Sequence, residues 1–226
     1  MKYMTFSFDD CEIYDRILCD MFRKHGMRAT FFLISNSLGR KVDFHRYGLD
    51  TVVERVSADE INKTYVGMEV ATHTASHRCP IGELDEAVAK SAEYLSTLCG
   101  YEVLGMAYPG GEYTQQHIAE LKKLGIKYAR TTECTYDFNV PTEWLAWNPT
   151  CKYDDKYIWK LAEQFINYQG KEPKVFHIYG HSYEMTRKDE RCSFDEFERL
   201  LCYLSNRKDI IYATNIEVME ALSCME

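Results

Sequence analysis

Segments with strand-like and helix-like hydrophobic patterns alternate along almost the whole chain. The predicted strands are YMTFSF (3–8), RATFFLI (28–34), MEVATH (68–73), LGMAYP (104–109), IKYART (126–131), WLAWNP (144–149), KVFHIYG (174–180) and IIYATN (210–215). The predicted helices are 14–26, 82–100, 114–125, 154–170, 193–207 and a short terminal one. A shorter segment from Ser57 has Glu60 three residues on, which is the pattern of a capping box. The stretch 35–50 is polar and less regular.

Strict alternation of this kind is typical of a parallel sheet with helical crossovers. With seven or eight strand–helix units, a (β/α) barrel is favoured over an open sheet. A length of 226 residues suits one such barrel, and the sequence has no repeat, linker or low-complexity tract. We therefore predict an α/β fold with a single domain over residues 1–226.

Charge, apolar runs and cysteine content indicate which partners and which cellular compartment to expect. The formal net charge of −8 argues against a nucleic-acid partner, which needs a positive surface. No run approaches the 18 apolar residues of a membrane span, and no leader of signal-peptide form precedes the first strand. The nine cysteines are scattered without C-x-x-C spacing, which suits buried thiols in a reducing compartment. These features predict a cytoplasmic protein.

Reactive side chains stand where several predicted strands end. The first strand ends in Asp9 and Asp10, the third in His73 with His77 four residues on, and the seventh in His181. In a (β/α) barrel the carboxyl ends of the strands form the working face, so we expect these side chains to lie together.

The histidine pair predicts a metal site. If THTASH begins one helical turn, His73 and His77 point to the same side and suit one ion. A carboxylate from another strand end would supply the third ligand, leaving the open position of a catalytic zinc site. Because successive strand residues face opposite ways, Asp9 and Asp10 would have different tasks unless the strand bends. The alternative is that the two aspartates only cap the following helix.

Four short motifs together resemble the polysaccharide deacetylase family, also called carbohydrate esterase family four. They are SFDD (7–10), HTASH (73–77), AYPGG (107–111) and YGH (179–181), in the order and at the spacing of that family. The resemblance implies a distorted (β/α) barrel, usually of seven strands. It also implies a hydrolase that removes acetyl groups from N-acylated carbohydrates.

The resemblance also implies a role for each motif residue. Asp9 would be the general base and His181 the general acid. Asp10, His73 and His77 would bind one divalent metal, usually zinc in this family. The backbone N–H of Gly110 would help to hold the oxyanion.

The chain departs from the family pattern at four places, one of which is Arg78-Cys79 where a proline often follows the second histidine. Cys11 stands where the family has glycine, and Ala107 stands where an arginine pairs with the base aspartate. Arg130 is a candidate substitute for that arginine, although a surface arginine is an equal interpretation. The D-x-x-D-W segment has no clean match, and Asp137 is the candidate partner of His181.

Several alternatives stay open at this point. One is a metal-independent cyclic amide (ureide or imide) hydrolase of the same superfamily, and another is an inactive sugar-binding barrel. The resemblance implies that the group removed would be an N-acetyl or O-acetyl group and that the substrate would be an N-acylated sugar or a small amide. Four aromatic residues are candidates for stacking on a sugar, although core packing is the better interpretation of each: Tyr108, Tyr113, Trp147 and Tyr183.

Overall fold

A computed structural model describes residues 1–46, 49–187 and 193–224. Within these ranges the strands are β1 (Lys2–Asp9), β2 (Thr30–Leu33), β3 (Lys41–Arg46), β4 (Leu49–Glu54), β5 (Glu69–Thr72), β6 (Gly105–Ala107), β7 (Tyr128–Arg130), β8 (Cys151–Lys152), β9 (Lys174–His181) and β10 (Ile210–Tyr212). The α-helices are α1 (Asp15–Lys24), α2 (Ile61–Thr64), α3 (Lys90–Cys99), α4 (Gln115–Lys123), α5 (Ile158–Asn167), α6 (Phe194–Leu204) and α7 (Asn215–Ser223). No helix in these ranges has both the length and the apolar character needed to cross a bilayer.

Eight of the strands form one parallel sheet in the order β7-β6-β5-β2-β1-β9-β8, with β10 also pairing with β1. Strand β1 lies at the centre and pairs with β9 along its full length, from Lys2 opposite Lys174 to Asp9 opposite His181. Its other edge pairs first with β10 and then with β2. The parallel α/β arrangement predicted from the alternating pattern is therefore confirmed.

The segment between β7 and β9 curls the sheet into a distorted barrel. Trp147 N–H donates to the Ala129 carbonyl at 2.9 Å, and Thr131 N–H donates to the Trp147 carbonyl at 3.0 Å. Three residues later, Thr150 N–H donates to the His177 carbonyl at 2.8 Å. Strands β1, β2, β5, β6, β7, β8 and β9 form a curled half-barrel, so the predicted distorted barrel with seven strands is confirmed.

Two local predictions were wrong. The run WLAWNP is a 3₁₀ turn over Trp144–Ala146, and β8 begins only at Cys151. Pro149 has no N–H to donate, which explains why regular pairing starts after it. The stretch 35–50, read as irregular, includes β3 and the start of β4, which pair as an antiparallel hairpin.

Two helix starts also differ from the sequence pattern. The predicted helix 82–100 opens with a π-helical turn over Asp85–Ala89 before α3, and the helix predicted from residue 154 begins at Ile158. The Ser57 hydroxyl donates to the Glu60 carboxylate at 2.7 Å at the start of a 3₁₀ turn, but it makes no cap hydrogen bond to the backbone, so that half of the predicted capping box is absent.

Alternation along β1 separates an aromatic outer core from a polar barrel interior. Phe6 and Phe8 pack against Phe22 and Phe197 of the surrounding helices, with ring centroids 4.9–6.1 Å apart. Residues of the other parity are polar, and the Ser7 hydroxyl lies 2.6 Å from the buried His177 Nε2. The last residue of this interior row is Asp9, which the packing of β1 therefore holds at the upper end of the barrel.

Candidate active site

The chain bends sharply at the end of β1. Asp10 has φ +83° and Cys11 has φ +54°, both in the left-handed region that non-glycine residues rarely adopt. As a result Asp9 and Asp10 do not face opposite ways: Asp9 Oδ2 lies 3.9 Å and Asp10 Oδ1 lies 3.8 Å from His73 Nε2. The bend that would let the two carboxylates share one site is therefore present.

Asp10, His73 and His77 converge as a possible metal site, their ligand atoms all within 4.8 Å of one another. His73 Nδ1–H donates to the Ala107 carbonyl at 2.9 Å, which leaves the Nε2 lone pair facing the carboxylates. His77 Nε2 lies 4.0 Å from Asp10 Oδ1. That oxygen is buried and has no hydrogen-bond partner within the described ranges. Two imidazole nitrogens and a carboxylate oxygen fit one divalent ion.

Local electrostatics keep two of these residues, His73 and Asp10, in a metal-binding form. Burial lowers the pKa of His73, and the carboxylates of Asp9 and Asp10 only partly oppose that effect, so the imidazole is held neutral. Burial alone would raise the pKa of Asp10, but His181 and then Arg55 outweigh it, and the pKa is lowered. A neutral imidazole and an ionised carboxylate are the forms that ligate a metal.

The HTASH segment is a tight turn rather than the helical turn expected from its spacing. Thr74 and His77 have φ values of +68° and +57°. The Thr72 hydroxyl accepts from Thr74 N–H at 3.0 Å, and Ala75 N–H donates to the Ala87 carbonyl of the π-helical turn at 2.7 Å. Hydrogen bonds on both sides therefore fix how the two imidazoles are presented.

Arg130 forms a buried ion pair with Asp9. Its guanidinium donates to Asp9 Oδ2 and, at 2.8 Å, to the Thr131 carbonyl, and the side chain is 0% exposed. The rings of Phe32 and Tyr179 lie 5.4 and 4.9 Å from the guanidinium carbon. The surface-arginine interpretation is thus wrong.

His181 is the third imidazole at this site, and its Nε2 lies 3.9 Å from Asp9 Oδ2. Its Nδ1 lies 3.6 Å from Glu184 Oε2, and Lys152 Nζ donates to the Glu184 carboxylate at 2.8 Å. Burial would lower the pKa of His181, but Glu184, Asp10 and Asp9 outweigh it, so the pKa is raised. Burial would raise the pKa of Glu184, but His181 and Lys152 bring it down to about 2.

Asp137 does not reach His181, which corrects the sequence-based assignment. Its side chain is exposed, and its carboxylate accepts from Asn139 N–H at 2.9 Å. Glu184 takes that place. The signal in the sequence was a carboxylate three residues after His181, a spacing that brings two side chains together in a 3₁₀ turn.

The Gly110 turn follows β6 at the rim of the site. Gly110 has φ +67°, and its carbonyl accepts from the Thr132 hydroxyl at 3.2 Å. At Gly111 an added Cβ would meet Thr132 Oγ1 at 2.1 Å, so only glycine fits there. The part of Gly110 N–H in holding an oxyanion stays a prediction.

A groove of about 1230 Å³ opens beside His77, between the loops that follow β5 and β6. Its walls include Arg78, Glu83, Glu112 and Tyr113. The Tyr113 ring is 37% exposed and stacks on Tyr108, with centroids 5.2 Å apart. The other three candidate stacking residues are buried: Tyr108, Trp147 and Tyr183.

Solved structures with the same fold include two esterases. A family 4 carbohydrate esterase from Streptomyces lividans, in complex with acetate, has a TM-score of 0.51 and 15% identity over 89% of this chain and 87% of that one. A family 4 acetyl xylan esterase from Clostridium thermocellum, with a cobalt ion, has a TM-score of 0.56 and 14% identity over 97% and 91%. Identities this low show the fold alone.

A Bacillus anthracis protein also matches, with a TM-score of 0.51 and 18% identity over 86% of this chain. The chain spans 50% of the length of that protein. Among proteins of curated function, none matches in sequence.

A family description settles the relationship. The model of the family described as polysaccharide deacetylase matches residues 1–129, more than half of the chain. The matched part includes both aspartates of SFDD and both histidines of HTASH. The prediction of a polysaccharide deacetylase-like hydrolase, drawn from four short motifs, is confirmed at the level of the family. The chain belongs to the polysaccharide deacetylase family.

Proposed function

We propose that this chain is a metal-dependent hydrolase that removes an acetyl group from an N-acetylated carbohydrate. One observation carries the proposal: Asp9 Oδ2 lies 3.9 Å from both His73 Nε2, a candidate metal ligand, and His181 Nε2, which belongs to the third imidazole of the site. A base, an acid and a ligand set around one point are what amide hydrolysis requires.

The residues of the chain divide the chemistry among them. Asp10, His73 and His77 would hold a divalent ion, and the chemistry that such an ion would supply is that of a Lewis acid toward an acyl carbonyl and a water molecule. Asp9 accepts the proton of the attacking water.

The other two roles fall to groups beside this centre. The Gly110 N–H donates to the carbonyl oxygen as negative charge develops on it. His181 gives its proton to the departing nitrogen. Without that proton the amine is a poor leaving group.

Two neighbours tune the acid and the base. Arg130 donates to Asp9 Oδ2, the carboxylate oxygen that also lies 3.9 Å from His73 Nε2 and His181 Nε2, and supplies the counter-charge of the base. Glu184 stabilises the protonated form of His181, so that the acid is loaded before the amine departs. Each catalytic group thus has one buried partner of opposite charge.

The groove supports a substrate larger than one small amide. A volume of about 1230 Å³ exceeds a typical ligand pocket, which suits a chain of sugar rings extending from His77. Tyr113 presents a ring face of the kind on which a sugar stacks. An O-acetylated sugar uses the same acyl chemistry with an easier leaving group, so it is the alternative substrate.

Acetate release tests the proposal. We expect the protein loaded with Zn²⁺ or Co²⁺ to release acetate from N-acetylglucosamine oligomers, and the chelator-treated protein to release none. Acetylated xylan, run in parallel, separates N- from O-deacetylation. Cleavage of cyclic amides after chelation would instead favour a metal-independent hydrolase. Sugar binding without acetate release from either polymer would favour an inactive barrel.

A further inference from the structure

Arg55 lies beside the candidate metal site, in contact with Asp10, and does not line the groove. It directly follows β4, so the hairpin absent from the sequence-based assignment delivers it there. Its side chain is buried, as are those of Asp10 and Glu12. One guanidinium nitrogen, Nη1, donates both to the Asp10 carbonyl oxygen and to the Glu12 carboxylate.

The same guanidinium lies near one oxygen of the Asp10 carboxylate, and the other oxygen faces the two imidazoles. Arg55 Nη1 lies 3.7 Å from Asp10 Oδ2, whereas Asp10 Oδ1 faces His73 and His77 at 3.8 and 4.0 Å. An arginine on one oxygen leaves the other directed at the imidazoles. The contact with Arg55 therefore sets the rotation of the Asp10 carboxylate.

Backbone hydrogen bonds connect the strained turn at Asp10 and Cys11 to the end of the β3–β4 hairpin. Val56 N–H donates to the Cys11 carbonyl at 2.8 Å, and Ile13 N–H donates to the Glu54 carbonyl at 2.9 Å. Left-handed non-glycine residues persist only where the surroundings over-determine them. Here the surroundings are the hairpin and the side chain of Arg55.

We propose that Arg55 is a positioning residue for metal binding, which orients Asp10 as a ligand through one oxygen and is itself held by Glu12. Arg55 would not touch the ion. This inference rests on the proposed function, because it requires that Asp10, His73 and His77 bind a metal.

Removal of Arg55 should change the metal affinity in opposite directions for two possible roles, positioning of Asp10 and simple neutralisation of its charge. If Arg55 only neutralised Asp10, its removal would free negative charge and tighten metal binding. If Arg55 positions Asp10, its removal lets the carboxylate rotate and weakens metal binding. Loss of an outer partner of a metal ligand typically costs about 10–100-fold in affinity.

The test measures Co²⁺ binding by the visible absorption of the bound ion, with chelator competition, in the full chain. We expect R55M to raise the Co²⁺ dissociation constant about 10–100-fold and to alter the absorption bands. E12Q leaves Arg55 in place and should raise the constant by less. R16M is the matched control, because Arg16 pairs with Glu60 at the surface and should leave both readouts unchanged.

The outcomes are distinguishable. Equal or tighter Co²⁺ binding by R55M and E12Q would overturn the inference while leaving the proposed function intact. If the unmodified chain binds no Co²⁺, the proposed metal site itself is wrong. Should R55M not fold, judged by circular dichroism of the metal-free protein, E12Q decides: unchanged affinity in E12Q overturns the inference.

Discussion

Arg130 on β7 is bound to Asp9 on β1, although the family arginine would have come from β6. The register explains how this is possible, because Ala107 of β6 lies opposite Arg130 of β7. Ala107 has only a methyl group to offer at its position, and the residue opposite it on β7 supplies the guanidinium that binds Asp9. The same ion pair is thus made from the neighbouring strand.

Replacing Arg130 with methionine should damage both stability and activity. Removal of one partner from a buried ion pair leaves an uncompensated charge, which costs about 3–5 kcal/mol of unfolding free energy. We expect R130M to unfold at lower denaturant concentration and to lose turnover, while Co²⁺ binding persists. The double variant A107R/R130A should recover part of the turnover. No recovery would contradict the interpretation that an arginine at position 107 can make the same ion pair.

Mutations should distinguish the role of Asp9 as the base from the role of His73 as a metal ligand. D9N should cut acetate release by about 10²–10⁴-fold, because a general base typically contributes that much, and the metal should stay bound. H73A should lose the metal, as measured by elemental analysis after dialysis. Unchanged turnover in D9N would rule out Asp9 as the base.

Glu184 should set the alkaline limit of activity. His181 works as an acid, so its protonated form is the active one, and turnover falls as pH rises through its pKa. Glu184 raises that pKa, which extends the active range upward. E184Q should move the alkaline limb of the kcat/KM profile to lower pH. A profile that keeps its alkaline limb would mean that another group is the acid.

Tyr113 should matter for long substrates only. We expect Y113A to raise KM for a tetramer of N-acetylglucosamine about tenfold, equivalent to about 1.4 kcal/mol of lost contact, with little change for the dimer. Tyr94 is exposed on α3 and does not line the groove, so Y94A is the matched control. Equal effects on tetramer and dimer would contradict stacking along the groove.

The sequence predicted much of the site because strand ends meet at one face of a barrel. Asp9, Asp10, His73 and His181 each follow or end a strand, and the structure brings them together. The direction in which each of these side chains points was harder to predict than its place at a strand end. The bend at Asp10 depends on a left-handed backbone that distant segments stabilise: Asp10 N–H donates to the Phe32 carbonyl of β2 at 3.0 Å, and Val56 N–H donates to the Cys11 carbonyl at 2.8 Å.

Other features depended on contacts between distant segments. Whether Arg130 points inward is decided by its register with Ala107, which no local pattern contains. Arg55 and Glu12 become partners only once the hairpin folds back on β1. The hairpin itself had a signal, since apolar residues recur at alternate positions in KVDFHR.

The candidate metal ligands and the base lie early in the chain, and the acid and the charged partners of the acid and the base lie late in it. All three candidate ligands lie before residue 78, whereas Arg130, His181 and Glu184 come after residue 129. The pairing of β1 with β9 is what joins the two sets, since it places Asp9 opposite His181. A fragment that ended at residue 129 would keep the ligands for an ion together with a base that has lost both its counter-charge and its acid.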